Sequence, residues 1–479
     1  MRVQPAAREE PAFSPGTVLC PAFGNSTEQS SAAAAQGSCD PSLSYAITDT
    51  TIIDVALGRA RAHQSIVLKC GRITAVGSAH RIKVPANVPT MDGKGLFAAP
   101  GLVDAHAHNT STESFRKAYL AYGITTVRNM SGDAASLEAI SQVRSGKASG
   151  PWVYLASPII NGSEPEWQDR DALTAAGAIL SKAKQSGEEY AKAYYQLTPA
   201  QFEALALTSA RLKMPLVGHV PRSVTLDVAL KRMWSVEHLT GFDDALEDPA
   251  RHVDGKGSAM LSLRRFAAAA RSRIPVLASQ VAHSGSWQIP TLYSYDVWAR
   301  PAEMRRLSSD HAVQGMIGEE MLRQWTSPNP WYVTPLDKQT DADRAAIAGA
   351  TDVRRLIVKA LYDAGAKLAI GTDAGAPFVT PGSSFHQEMK IYSEIGIPAP
   401  AILRMATLQG ARVAGHEADA GTIEPGKRAD ILLLRANPLK DLRTLERPAA
   451  VIAAGHYFAR AKLNEFAAVS GENELPSAY

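Results

Sequence analysis

The sequence predicts an α/β fold: a (β/α)8 TIM barrel joined to a small β-sandwich domain built from both termini. Three observations carry this. After Pro100, apolar strand-like runs alternate with longer amphipathic stretches; eight such runs fit between Leu102 and Thr372; and β-rich segments flank that region on both sides. With 479 residues and 45% of them apolar, the chain can bury a large core.

Residues 1–44 are rich in Pro, Ala, Ser, Gly and Gln without a helical or strand period, and read as a poorly ordered extension with no part in the chemistry. From Tyr45 the texture turns β-like, in Ala46 to Val55 and Gln64 to Gly77, with Gly71 supplying a turn. Residues 45–97 are therefore one half of the sandwich. Its other half is 411–463, where Gly421 to Leu434 and Ala449 to Phe458 read as strands. Between them, 98–410 is the barrel. Its strands are Leu102 to Ala107, Thr125 to Met130, Trp152 to Ile160, Tyr190 to Leu197, Leu216 to Val220, Ser235 to Leu239, Gln288 to Tyr293 and Lys367 to Thr372. Helical stretches such as Ser136 to Lys147, Ala200 to Lys213, Asp343 to Ala364 and Ser383 to Ile395 fall between or after them. Residues 464–479 form a C-terminal tail.

Fifty Lys and Arg against 47 Asp and Glu leave a formal charge of +3, too balanced for nucleic acid or an anionic membrane as the main partner. No run approaches the roughly 20 apolar residues of a membrane span, and Met1 to Pro15 lacks the apolar core of a secretory signal. The expected place is the cytoplasm by default, with secretion or the periplasm left open. The three cysteines, Cys20, Cys39 and Cys70, contain no C-x-x-C pair, so a disulfide framework and a thiolate zinc site are both set aside. Unpaired thiols are preferred over a single Cys20–Cys39 bridge. A small molecule is the expected partner, and self-association into a homo-oligomer is left open.

The histidines carry the chemistry through their placement. His106 and His108 close the first barrel strand in Gly101-Leu-Val-Asp-Ala-His-Ala-His108, and the i, i+2 spacing turns both imidazoles to one face. Barrel active sites form at that end of the strands. Three further strand ends bear similar residues: His219 in Gly-His-Val-Pro221, His238 in Val-Glu-His-Leu239, and Asp373 in Gly-Thr-Asp-Ala-Gly375. Each alone reads more plainly as a core histidine or a capping aspartate; four agreeing ends point to a metal centre. Imidazole nitrogen with carboxylate oxygen favours zinc, with manganese, iron and cobalt as competitors.

This series, His106-x-His108, Lys192, His219, His238 and Asp373, resembles the amidohydrolase superfamily of binuclear metal hydrolases, over residues 45 to 460. Pro100-Gly-Leu-Val-Asp-Ala-His-Ala-His108, the two histidine strand ends and Pro425-Gly-Lys-Arg-Ala-Asp430 are most similar to its imidazolonepropionase-like and prolidase-like branch. The resemblance implies two divalent metals, and carbon dioxide held on Lys192 as a carbamate that bridges them. A snorkelling surface lysine is the plainer reading of Lys192. The resemblance also implies that Asp373 is both ligand and proton shuttle, with Asp373 and Lys192 as the catalytic pair. His386, in Ser383-Ser-Phe-His-Gln-Glu388, recurs in relatives, where a substrate contact and a core role are equally open. Ile159-Ile-Asn-Gly-Ser-Glu164 stands where amino-acyl carboxypeptidase relatives have a Gly-Gly-His loop, so their substrate preference does not carry over.

The function expected is therefore hydrolysis of a C–N amide bond in a peptide, an N-acyl amino acid or a cyclic amide, by attack of a metal-bridging hydroxide. Lactone or ester hydrolysis at the same site, and a non-catalytic binding protein of the same fold, are the alternatives. Trp287, Trp298, Trp325, Trp331, Tyr293, Tyr295 and Tyr332 crowd a connection that is long for a βα unit. Tyr293, Tyr295 and Trp298 are the expected substrate contacts, in a pocket favouring bulky apolar groups; the plainer reading packs these aromatics against the helix at Asp310 to Trp325.

Overall fold

The computed structural model describes residues 40–168, 170–248, 250, 259–326 and 339–469. The expected extension up to residue 39 and the tail from 470 lie outside them, as do Trp331 and Tyr332. At the inner margins both expectations change. Pro41–Leu43 is a 3-10 turn capped by the Asp40 side chain, and the helix Arg460–Val469 runs through the expected tail boundary and buries Leu463 and Phe466.

Eight strands from both ends of the chain share one sheet: β1 (Ala46–Asp54), β2 (Arg59–Lys69), β3 (Arg72–Ser78), β4 (Thr90–Asp92) and β5 (Phe97–Pro100) with β13 (Ile431–Leu434), β14 (Ala450–Ala453) and β15 (His456–Ala459). The order is β15-β14-β13-β5-β1-β2-β3, with β4 on β1. Thus the two terminal β-rich segments, expected as a small β-sandwich, share one hydrogen-bonded sheet. Ile47, Ile52, Ile66 and Leu68 bury one face of it against Ile431, Leu433 and Ile452. The junction of the two halves is β5 with β13, antiparallel from Pro100 opposite Ile431 to Phe97 opposite Leu434. Cys70, at the β2–β3 turn, is disulfide-bonded, which corrects the expectation of free thiols; Cys20 and Cys39 lie outside the described residues.

Inside this frame lie two parallel sheets. One is β6 (Leu102–Ala107), β7 (Ile124–Asn129) and β8 (Trp152–Leu155); the other is β9 (Ala191–Ala193), β10 (Leu216–Gly218), β11 (Ser235–Glu237) and β12 (Trp287–Ile289). Isolated parallel bridges connect their margins: Ala156 with Tyr190, Gln288 with Leu368, and Ala107 with Ala374. The expected eighth strand, Lys367 to Thr372, forms only such bridges. Several ladders stop earlier than the apolar runs suggest, because the backbone turns left-handed next: φ is +118° at Gly218, +59° at His238 and +53° at Leu239. In the seventh unit Pro290 interrupts the ladder and a helix, Leu292–Trp298, begins within the expected strand.

The helices follow their sequence signals. Asp341–Asp363 opens with a reciprocal capping box between Thr340 and Asp343, and buries Ile347, Ala350, Val353, Arg354, Ile357 and Leu361 at spacings of three and four. It packs on Ala259–Ala267. Among the described residues no helix is long and apolar enough to cross a membrane.

Candidate metal centre

The site is built at the carboxyl ends of the parallel strands. Asp104, inside β6, accepts hydrogen bonds at Oδ1 from the amides of His106 (3.2 Å) and Thr372 (3.1 Å) and at Oδ2 from the Thr372 hydroxyl (2.7 Å). This fastens β6 to the segment that carries Asp373. Burial pushes the Asp104 carboxyl up to about 7. Gly371 is required at the crossing, since a Cβ there would lie 2.9 Å from the Cβ of His106 and 2.5 Å from Ile289. Asp373 has φ +66°, and its Oδ1 reaches Nε2 of His108 at 3.1 Å and Nε2 of His106 at 3.4 Å. Left-handed backbone at Asp373 and His238 is strain that the surrounding structure holds in place, as is common at functional sites.

His106, His238 and Asp373 offer ligand atoms all within 4.8 Å of one another. The His106 and His238 rings are 4.4 Å apart, His238 and His219 4.8 Å, and His106 and His108 5.3 Å. Tyr194 and Tyr195 wall His219 at 4.4 and 4.5 Å. Lys192 projects from β9 and is 1% exposed. A Cβ at Gly218 would stand 2.9 Å from its Cδ, so glycine clears the path of the lysine stem. The five histidine and lysine residues and Asp373, taken from five strand ends, thus share one locus.

Two partners were not legible in the sequence. Glu237, fully buried, accepts from His106 Nδ1 at 2.8 Å, from Arg128 Nη2 at 2.6 Å and from Ser235 at 2.6 Å. The carboxylate accepts a hydrogen bond from Nδ1–H, so the lone pair of His106 is left at Nε2, facing Asp373. Thr291, with φ +48°, holds His238 Nδ1 at 2.7 Å. Only an acidic residue beside a strand-end histidine hinted at the first; the second had no local signal.

The electrostatics agree with a ligand set. Burial pushes the Asp373 carboxyl up, but the imidazoles of His238, His106 and His108 outweigh it and hold it well below the usual range. Burial holds His219 and His238 well below the ordinary imidazole value, so both are neutral donors. Burial also lowers Lys192 to about 8, against the pull of Glu237 and Asp373.

A cavity of about 640 Å³ opens on Asp373, His219 and His238. Of the expected substrate contacts, Tyr295 and Trp298 line it. Tyr293 is buried elsewhere, with Arg300 over its ring, and His386 is buried with its Nε2 donating to the Tyr122 carbonyl at 2.9 Å. Neither joins the wall. Trp287 packs with Ile289, Ala105 and Ala369 below the site, and Trp325 lies on Phe378, so these two aromatics are core.

Whether the residues suit a metal is tested by their nitrogens. His106 Nε2, His219 Nδ1 and Lys192 Nζ are buried and make no hydrogen bond among the described residues. Each such group costs about 1–3 kcal/mol when left alone, and a cation is the partner that imidazole nitrogen and carboxylate oxygen together accept. The residues fit.

Comparison with known proteins agrees. Over 83 residues the chain is 39% identical to a 5-methylthioadenosine/S-adenosylhomocysteine deaminase of Desulforudis audaxviator (strain MP104C), covering 15% of this chain and 19% of that protein. A deaminase of the same description from Moorella thermoacetica (strain ATCC 39073 / JCM 9320) is 35% identical over 92 residues, 16% of this chain and 20% of its own. The chain thus matches about a fifth of the length of these curated relatives. Among solved structures, a bottromycin amidohydrolase superposes with a TM-score of 0.71 and 26% identity, over 90% of this chain and 91% of its own. A Xaa-Pro dipeptidase with bound methionine in the active site superposes at 0.60 and 18% identity, over 87% and 100%, a likeness of fold alone. Residues 97–457 match the profile of the amidohydrolase family, a span that holds every ligand candidate described above, and the chain belongs to that family.

Proposed function

We propose that the protein is a metal-dependent hydrolase that cleaves a C–N amide bond in a peptide, an N-acyl amino acid or a cyclic amide. The observation that carries this is the convergence of His106, His108, Lys192, His219, His238 and Asp373, with three buried nitrogens that make no hydrogen bond among the described residues, on a cavity open to a small substrate. The two parallel sheets and the bridged segment 367–374 are read as the eight staves of a (β/α)8 barrel.

His106, His108, His219, His238 and Asp373 would hold up to two divalent ions, zinc by preference of the donors, with Lys192 as the carbamate that joins them. When bound, such ions polarise a substrate carbonyl and acidify water. Asp373 is placed to take the proton of the attacking water on its carboxylate and return it to the leaving nitrogen. Glu237 keeps the His106 ring in one tautomer throughout. Tyr295 and Trp298 offer the acyl or amine side chain an apolar wall. The buried amine of Lys192, held below the ordinary lysine value, suits carbamate formation, in which the amine adds carbon dioxide and releases a proton.

The deciding experiment joins elemental analysis of the purified protein to a hydrolysis screen of dipeptides, N-acyl amino acids, cyclic amides and lactones. Transition metal together with amide turnover is the expected result. A preparation that binds no metal, or cleaves only lactones, overturns the reading.

A further inference from the structure

The helix Asp341–Asp363 carries two consecutive arginines with opposite fates. Arg355 pairs with Asp296 and, at 3.2 Å, with Glu394. Arg354 is 2% exposed and has no carboxylate within 4.0 Å among the described residues. Its guanidinium lies 3.5 Å from the Tyr295 ring and 4.0 Å from the Phe266 ring. Nη1 donates to the carbonyl of His238 at 2.7 Å, and buried Nε makes no hydrogen bond among the described residues. Asp243, an acid on the same cavity wall, accepts instead from the Ser262 hydroxyl at 2.6 Å. An uncompensated guanidinium opposes folding wherever it is buried, and its planar fork is shaped for a carboxylate. This one borders the cavity that also contains Asp373 and is tied to the backbone of a candidate metal ligand.

We infer that Arg354 is the anchor for a carboxylate on the substrate, so that the cavity selects amides bearing a free carboxyl group beside the scissile bond. This deepens the amide-hydrolase reading and rests on it. The missing counter-charge arrives with the ligand, and the Tyr295 and Phe266 rings exclude water around the pair. Substrates of this class are N-acyl amino acids and the carboxyl ends of short peptides. An apolar side chain and an anionic carboxylate are then recognised by different walls of one cavity.

The competing role is that Arg354 merely positions His238 through its carbonyl. A matched pair separates the two: N-acetyl-phenylalanine and N-acetyl-phenethylamine, the same amide without the carboxylate. With the metal-loaded full chain, kcat/KM should favour the acid by about 100-fold, mostly through KM. In Arg354→Met the preference should vanish, the rate on the acid falling far more than the rate on the neutral amide. Arg354→Lys, which keeps the charge and serves if the Met variant does not fold, should retain part of the preference. Equal rates on the two amides in the parent, or a Met variant that slows both alike, overturns the inference. If neither amide is cleaved, the hydrolase reading fails for this class, and calorimetric binding of N-acetyl-phenylalanine decides the inference alone. Binding at least about 100-fold tighter in the parent than in Arg354→Met supports it, and equal affinities overturn it.

Discussion

Two buried charged clusters flank the parallel strands, and they are finished differently. Near the starts of β7 and β8, Arg428 bonds Asp430 at 2.6 Å, the Thr126 hydroxyl at 2.7 Å and the Tyr154 phenol at 3.3 Å, over the Trp152 ring at 4.7 Å. Asp430 in turn accepts from the amide of Ala454 at 2.8 Å. This cluster closes on itself and sews the terminal sheet to the strands. Elsewhere, His106 Nε2, His219 Nδ1, Lys192 Nζ and Arg354 Nε are as deeply buried and make no hydrogen bond among the described residues. A charged group that is satisfied within the fold contributes cohesion; one left open is a demand on a ligand.

The contrast is broken most severely if substitutions in the open cluster affect folding, or those in the closed cluster affect turnover. The largest effect is expected for Asp373→Asn. The amide can still offer an oxygen but accepts no proton at neutral pH, so kcat should fall by about 10²–10⁴ while much of the metal is kept. Steady-state kinetics beside metal analysis check this, and a near-parental rate means that another base acts. Next is Arg428→Met, which strands Asp430 and should cost about 3–5 kcal/mol in urea unfolding, with kcat per folded molecule unchanged. A loss of kcat there would erase the distinction between the two clusters. Glu237→Gln should weaken metal affinity about 10–100-fold in chelator competition, because the His106 ring loses the charge that orients it. Unaltered affinity would reduce Glu237 to a partner of Arg128.

The smallest effect belongs to His386, a buried histidine of the closed kind. Burial lowers it to about 3, below the ordinary value near 6.5 that it regains on unfolding. The unfolded chain therefore binds the extra proton. Its contribution is complete above pH 6.5 and is lost as pH falls towards 3, at about 1.4 kcal/mol per pH unit. Between pH 5 and 6.5, His386→Gln should have the shallower dependence of stability on pH. Identical slopes would mean that the imidazole titrates normally in the folded protein.

What the sequence made legible was whatever is written at strand ends. His106, His108, His219, His238 and Asp373 follow short apolar runs, and a residue at the end of such a run has few places to point. The sheet that joins the termini was readable as two β-rich segments but not as one layer, because the pairing of β5 with β13 depends on a contact far along the chain. Glu237 reads as half of an ordinary Glu-His pair; only Arg128, 109 residues away, turns it into a buried ion pair. Arg354 and Arg355 are indistinguishable as letters, and which one is buried depends on helix phase against Phe266 and Tyr295. The aromatic connection divided the same way, with Trp298 and Tyr295 on the cavity and Trp287 and Trp325 in the core, because side-chain direction after Pro290 is set by a helix that the apolar run concealed.

The pairing of β5 with β13 also sets a schedule for the ribosome. Pro100 ends β5 and Ile431 begins β13 about 330 residues later, which at about 5–20 residues per second leaves one side of β5 without its neighbour for roughly 15–65 s of synthesis. Throughout that interval Phe97–Pro100 presents an open backbone edge to any extended segment nearby. A nascent chain arrested before residue 431 should therefore be the aggregation-prone species and the preferred client of chaperones, whereas emergence of β13 seals the edge. Protection of β5 amides, in stalled chains of increasing length, should appear only once β13 has left the exit tunnel.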